Sequence, residues 1–199
     1  MKFTNKNNFN AQDFQISAQR CLEERLTVPA PIIVDLRSPE VYNQGHLAGA
    51  NNLPAEFLEA NLMQLPPFAP VFVYADQDQE AIDAAKLLDQ NGFDEVRWVE
   101  GGYAALNQAL RMDKNQIFLD DLPKEEWSAK IELVLDQKVR PALASDGGGL
   151  VLNKIDGDKV YVNYQGSCSG CASSTTGTLK FIQSQLRISL NHAIEVIPV

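Results

Sequence analysis

Short apolar runs alternating with longer amphipathic stretches set the rhythm of the first half of the chain. Ile32 to Leu36 (IIVDL) and Val71 to Ala75 (VFVYA) are near-continuous apolar runs of strand length, the pattern of strands buried on both faces. Val96 to Val99 (VRWV) is a third, leading into a turn at Gly101-Gly102. Between these runs the period is helical. AQRCLEERL follows Ser17, a residue suited to cap a helix, and a later helix carries Ile82, Ala85 and Leu88 on one side until Gly92 ends it. Strands alternating with helices predict a parallel sheet flanked by helices, an α/β domain.

Beyond Arg111 the rhythm changes. RMDKNQIFLDDLP is polar apart from one apolar island, Ile117 to Leu119, and Pro123 opens a helix on which Trp127, Ile131, Val134 and Leu135 recur. Pro141 is expected to limit that helix. The run Asp146 to Gly149 (DGGG) predicts a turn whose glycines take positive φ. A strand, LVLNKI, follows and returns through Asp156-Gly157-Asp158 as a hairpin into KVYVNY. A helix from about Ser173 to Leu190 and a last strand, IEVIPV, complete the order α-β-β-α-β, a small α+β domain. The domains are expected at 12–111 and 123–199, joined by a linker at 112–122.

With 199 residues, 45 % of them hydrophobic, the chain can bury a core in each of two domains. Seventeen Lys and Arg against 26 Asp and Glu leave a net charge of −9, and residues 1–120 hold 17 of the acidic and 9 of the basic residues. So acidic a surface repels phosphate backbones and anionic lipid, so neither nucleic acid nor membrane is an expected partner. No apolar run approaches the roughly 20 residues of a membrane span. The start, MKFTNKNNFN, has neither the apolar core of a signal peptide nor an Arg-rich presequence. Three cysteines, Cys21, Cys168 and Cys171, are too few and of the wrong parity for a secreted disulfide framework. They predict a reducing compartment, the cytoplasm.

Cys168-Ser-Gly-Cys171 is the one cysteine pair, and C-x-x-C alone serves zinc sites, redox disulfides and iron–sulfur clusters alike. A structural zinc needs four protein ligands, and residues 121–199 offer these two thiols plus His192, which reads more simply as a packing residue. A thioredoxin-like pair would follow a βαβ lead-in, whereas a hairpin precedes this one. The pair lies just before a helix, whose positive end favours thiolates. A [4Fe–4S] cluster takes four thiolates, so Cys168 and Cys171 from two chains about a two-fold axis would complete it. Such a site is labile and suits a carrier.

Two resemblances sharpen these readings. The stretch Ile32 to Pro54 resembles the rhodanese family through Asp35, Arg37, Ser38, Glu40, Tyr42, Gly45, His46, Gly49 and Ala50, with Gly92-Phe93 and Gly101-Gly102 fitting further on. Rhodaneses carry sulfane sulfur as a persulfide on a cysteine after a strand, with an arginine nearby. The resemblance puts Ala75 at the cysteine position, Glu80 at the arginine and Ala81 where a serine commonly follows. Without a thiolate no persulfide forms, and Asp76, Asp78 and Glu80 bring carboxylates where an anionic sulfur should sit. The domain therefore reads as a rhodanese fold with no catalytic residue. Cys21, on an early helix, reads as a structural thiol, His46 as a residue pinning its loop, and Asp35 with Arg37 as a local charge-assisted pair. The acidic loop is either a solvated turn or a docking face for a basic patch of a partner.

Arg140 to Lys180 resembles the C-terminal domain of NifU-like (Nfu) proteins through Arg140-Pro141, Leu143, Asp146-Gly147-Gly148, Gly166-Ser167-Cys168-Ser169-Gly170-Cys171, Ser173-Ser174 and Thr178-Leu179-Lys180. Ala172 replaces a proline common after the second cysteine, which removes no ligand. The resemblance implies a [4Fe–4S] cluster, in some cases [2Fe–2S], held between two subunits by Cys168 and Cys171 and passed to apo iron–sulfur proteins alongside cluster-assembly partners. The expected function is a non-enzymatic cluster carrier whose rhodanese-like half docks partners. The alternatives are a rhodanese-type sulfurtransferase supplying sulfur for cluster assembly, and a C-x-x-C thiol–disulfide protein.

Overall fold

The computed structural model describes residues 9–27, 29–114, 116–145, 147–166 and 172–199, the side chains of 172–176 excepted. The chain divides into two compact units, Met1–Lys114 and Asn115–Val199. Among the described residues no helix is long and apolar enough to cross a membrane.

The first unit is built from β1 (Gln15–Ile16), α1 (Ala18–Glu24), β2 (Ile32–Asp35), α2 (Pro39–Gln44), β3 (Asn51–Asn52), α3 (Ala55–Leu58), β4 (Val71–Tyr74), α4 (Asp78–Gln90), β5 (Val96–Val99) and α5 (Gly102–Met112). Its five strands form a parallel sheet in the order β1-β5-β4-β2-β3. The central strand β4 is VFVY, buried at every position, as a strand covered on both faces must be. Ser17 caps α1, its hydroxyl accepting from the Arg20 amide at 3.3 Å, and Ser38 caps α2 ahead of Pro39. On α4 the expected side is packed, with Ala85 and Leu88 buried and Ile82 half-buried against the same core, and the structure adds Ala81 and Ala84 to the buried stripe. Three of its four buried positions are thus small side chains.

The second unit comprises α6 (Lys124–Val134), α7 (Arg140–Ser145), β6 (Gly148–Asp156), β7 (Lys159–Gly166), α8 (Ala172–Leu190) and β8 (Glu195–Pro198). The strands β6 and β7 are antiparallel, β7 and β8 parallel, giving a mixed three-stranded sheet. Two expectations are corrected. Pro141 does not stop the helical path: a π-helical turn, Leu135–Val139, joins α6 to α7, and Pro141 is the second residue of α7. The π-helical turn makes room for it: the Arg140 amide reaches back to the Leu135 carbonyl oxygen, five residues away, and the widened turn accommodates the next residue without an amide hydrogen. Of the three consecutive glycines only Gly147 takes positive φ (72°), and Gly148 and Gly149 already belong to β6.

One face of the mixed sheet carries the core: Trp127 and Ile131 from α6, Val160 and Val162 from β7, and Ile182, Leu186 and Leu190 from α8. Each of the last three is fully buried and contributes about 2 kcal/mol relative to exposure. The apolar island lies in this core too, with Leu119 completely buried and Ile117 and Leu122 packed against it. Where α8 ends, Asn191 donates to the Ile117 carbonyl oxygen at 3.0 Å, and His192 lies between two carboxylates, Asp120 and Asp158, at 2.9 Å from each.

The first unit also buries a poorly partnered cation. Arg25 is 4 % exposed, its Nη1 donates to the Ala48 carbonyl oxygen at a long 3.4 Å, and its Nε has no partner among the described residues. Burial pulls its guanidinium down to about 10, with Cys21 acting in the opposite sense. Replacing a poorly compensated buried charge with an apolar side chain of similar length is neutral or stabilising. Arg25→Met is therefore expected to leave the first unit's thermal midpoint unchanged or to stabilise it by about 1–3 kcal/mol. Calorimetry checks this, and a clearly lowered midpoint would show that the charge itself supports the fold.

Candidate functional site

In open parallel sheets ligands bind outside the carboxyl ends of the strands. At that edge of the first unit, β2 delivers Asp35 and, two residues on, Arg37, both withdrawn from water. Their contact is bidentate: Arg37 Nε donates to Asp35 Oδ1 at 2.9 Å and Nη2 to Oδ2 at 2.6 Å. Nη2 also donates to the Gly45 carbonyl oxygen at 2.8 Å, and the guanidinium lies 4.3 Å from the Tyr103 ring centre. Burial alone would lower the Arg37 guanidinium, but its hydrogen bonds and charge pairing with Asp35 outweigh that and leave it raised. The expectation of a local charge-assisted pair is met.

The neighbouring groups are tied into the same arrangement. The Leu47 amide donates to the Tyr74 hydroxyl at 3.1 Å. Burial, then the Asp35 carboxylate, pushes the Tyr74 phenol far up, so it stays neutral. His46 places Nδ1 3.0 Å from the Tyr42 carbonyl oxygen and stacks on the Tyr42 ring at 3.7 Å, which pins the loop as expected. Asn52 donates to the carbonyl oxygens of both Asp35 and Arg37, fastening β3 to this edge.

Ala75 follows β4 and is 1 % exposed. Three carboxylates follow it in the chain: Asp76 is 3.7 Å from Arg37 Nη1, Asp78 accepts from the Gly101 amide at 2.9 Å, and Glu80 is on the first turn of α4. Burial, then the charge of Asp76, pushes the Glu80 carboxyl up. The cation at this edge, Arg37, is already held by Asp35 and Gly45. Cys21 offers no substitute nucleophile. It is completely buried on α1, and burial pushes its thiol up to about 12, Glu24 adding to this and Arg25 opposing it, so it is protonated at neutral pH.

In the second unit Cys168 and Cys171 lie outside the described residues, and the elements on either side are well defined. The strand β7 ends at Gly166, with φ +66°, and a Cβ there would sit 2.4 Å from the Gly147 carbonyl oxygen. This close crossing requires glycine and fixes the strand end beside the start of β6. On the other side, Ile182, Leu186 and Leu190 anchor α8 in the core. The segment that carries both thiols is thus attached at each end to a fixed element. Two thiols suit a soft metal centre but are half of what a four-thiolate cluster takes. Both ring nitrogens of His192 face carboxylates, Asp120 and Asp158, at 2.9 Å.

Sequence reasoning missed two features of the first unit's edge. One is the Tyr103 ring over Arg37, brought there by α5 and without a local signal. The other is Gly102, which the sequence marks only as part of a turn. Its φ is +53°, and a Cβ there would lie 1.8 Å from the Ala75 carbonyl oxygen.

Comparison with known proteins assigns both units. A rhodanese-like domain model matches residues 18–109 and a NifU-like domain model residues 131–197. The chain is 49 % identical over 69 residues to a nitrogen fixation protein NifU from Nostoc sp., covering 34 % of this chain and 23 % of that one. It is 33 % identical over 86 residues to a mitochondrial NFU1 iron-sulfur cluster scaffold homolog from Drosophila willistoni, covering 43 % of this chain and 29 % of that one. It therefore spans under a third of the length of these two relatives. Its first unit is similar to the crystal structure of a rhodanese-like domain from an Anabaena sp. protein, at 34 % identity and a TM-score of 0.38, covering 40 % of this chain and 92 % of that one.

The close approach of Gly102 to Ala75 yields a direct test. Gly102→Ala meets both an unfavourable φ and a steric clash with a backbone oxygen, so it is expected to destabilise the first unit by about 2–4 kcal/mol. Two-transition calorimetry would read this as a lowered midpoint for one unit with the other unchanged. An unaltered profile would show that the contact is not needed.

Proposed function

Because the chain joins a rhodanese-like domain to a NifU-like domain, we propose that it is an iron–sulfur cluster carrier whose rhodanese-like unit docks partners and catalyses nothing. The observation that carries this reading is the C-x-x-C pair, Cys168 and Cys171, between the end of β7 and the N-terminus of α8 in a NifU-like domain. The relative described as a cluster scaffold supports it. Two chains contribute two thiolates each, so the cargo is a [4Fe–4S] cluster bridging a homodimer, with [2Fe–2S] as the smaller form the same four ligands can hold.

Delivery follows from the ligand count. The cluster leaves as thiols of an apo iron–sulfur protein replace Cys168 and Cys171 of both chains one at a time, each exchange forming one iron–sulfur bond as another breaks and passing the incoming thiol's proton to the departing sulfur. Cys171 immediately precedes α8 in the sequence, and the positive end of a helix stabilises a thiolate as a leaving group. Each chain has only two ligands to give up, so no single subunit holds the cluster once its pair has been exchanged. The sparse free thiols fit a reducing cytoplasm.

For the first unit, Ala75 takes the place of the rhodanese nucleophile, and Asp76, Asp78 and Glu80 follow it in the sequence with no cation among them. A persulfide needs a thiolate and a cation to hold it, and both are replaced here.

Two experiments test these statements. Anaerobic reconstitution followed by size exclusion is expected to give about two iron and two sulfide per chain in a dimer-sized peak, lost in Cys168→Ser. Iron-free protein in which Cys168 and Cys171 cycle as a disulfide would replace the carrier reading with thiol–disulfide exchange. Restoring the thiol alone, as Ala75→Cys, is expected to give no thiosulfate:cyanide sulfurtransfer above background, because the carboxylates remain. Measurable turnover in that variant would show that the thiol was the only missing part.

A further inference from the structure

Between α3 and α4 the first unit carries an open groove of about 670 Å³. Its floor is apolar, with Leu58 from α3 and Ala84 and Leu87 from α4. Its rim is acidic, with Glu56 from α3 and Glu80 and Asp83 from α4, all exposed. No lysine or arginine lines it. On α4 the contributors are residues 79, 80, 83, 84 and 87, which fall on one face of a helix. That face is read from its amino end as an amide, two carboxylates, a small aliphatic and a large aliphatic residue.

Neither Glu56 nor Glu80 has a cationic partner among the described residues, and the Glu80 carboxyl is pushed up by burial and by Asp76. Asp83 accepts from the Gln79 side-chain amide at 3.0 Å, a neutral partner. Carboxylates crowded around an apolar floor with no counter-charge are complementary to a ligand that brings both cations and an aliphatic face. The groove runs between two helices, the arrangement that receives a third helix through residues spaced three and four apart. The excess of acid over base in residues 1–120 would draw such a ligand in and speed its encounter.

We propose that this groove binds a basic amphipathic helix of a partner protein, lysines or arginines meeting Glu56, Glu80 and Asp83 while its aliphatic face lies on Leu58, Ala84 and Leu87. The proposal rests on the reading of the first unit as a docking module and gives that module an address. It also moves the docking face from the acidic loop itself to the side of α4 that the loop leads into.

The test uses the full chain and a fluorescent, helix-forming peptide of leucine and lysine, followed by anisotropy. The wild-type protein is expected to bind it, and Glu80→Lys with Asp83→Lys to weaken binding on the order of tenfold or more. Leu87→Asp is expected to weaken it as well, through the floor. Asp94→Lys with Glu95→Lys, the same change of charge on another exposed stretch of the unit, is expected to change affinity less than threefold. Equal weakening by both charge reversals would reduce the effect to general attraction and overturn the proposal, as would a peptide that does not bind or that ignores Leu87→Asp. Iron and sulfide per chain, measured on the same variants after reconstitution, read the carrier function separately. The groove proposal can therefore fail with cluster loading intact, whereas a protein that never loads a cluster would bring down the carrier reading and leave the peptide result standing.

Discussion

A carboxylate and a guanidinium drawn out of water at the end of β2 hold the functional edge of the first unit together. Charges in such a place are tolerable only when paired with good geometry and when their remaining donors and acceptors are met. Asp35 and Arg37 satisfy this through a bidentate contact, and the rest of the edge forms around it: Gly45 accepts from Arg37, Tyr103 covers its face, and Asn52 ties β3 to the same backbone. The loops after β2, β3 and β4 therefore share one anchor. That anchor occupies Arg37, whose guanidinium is held by Asp35 and the Gly45 carbonyl oxygen rather than presented to an arriving anion.

The two units treat their candidate sites in opposite ways. In the first, the position after the central strand is filled by a buried alanine under a glycine whose backbone nearly touches it, with carboxylates alongside. Exposed acid lies beside this position and is suited to contact with another protein. In the second, the fixed elements stop on both sides of the thiol-bearing segment, β7 at a glycine crossing and α8 in a helix anchored by its aliphatic face. A segment fastened at both ends but carrying only half a ligand set is suited to a shared, exchangeable cargo, which is the chemical sense of the proposed carrier.

The chain divides at Lys114 and Asn115, so most of the stretch expected as a linker, 112–122, belongs to the second unit, and its apolar island is core material: Leu119 is completely buried there, where Asn191 and His192 fasten the adjoining backbone and Asp120. An isolated apolar triplet in a polar segment signals burial somewhere, but nothing local says against which partner. The same holds for α4, where Ala81 and Ala84, weak signals one by one, join the packed face.

Sequence by itself determined the two-domain order, the parallel sheet of the first unit and the hairpin of the second, the pairing of Asp35 with Arg37, the alanine at position 75 and the pair Cys168 and Cys171. These are legible because they depend on residue type and near-neighbour spacing: period two or 3.6, a cap before a helix, a thiol present or missing. Only the tertiary structure decided that Pro141 sits inside a helical path relieved by a π-helical turn, that Gly102 is required by the Ala75 carbonyl, and that Glu56 joins Glu80 and Asp83 around one apolar floor. Those features depend on which distant segments meet. Proximity of that kind is set by the packing of whole elements and leaves no mark in the local pattern of residues.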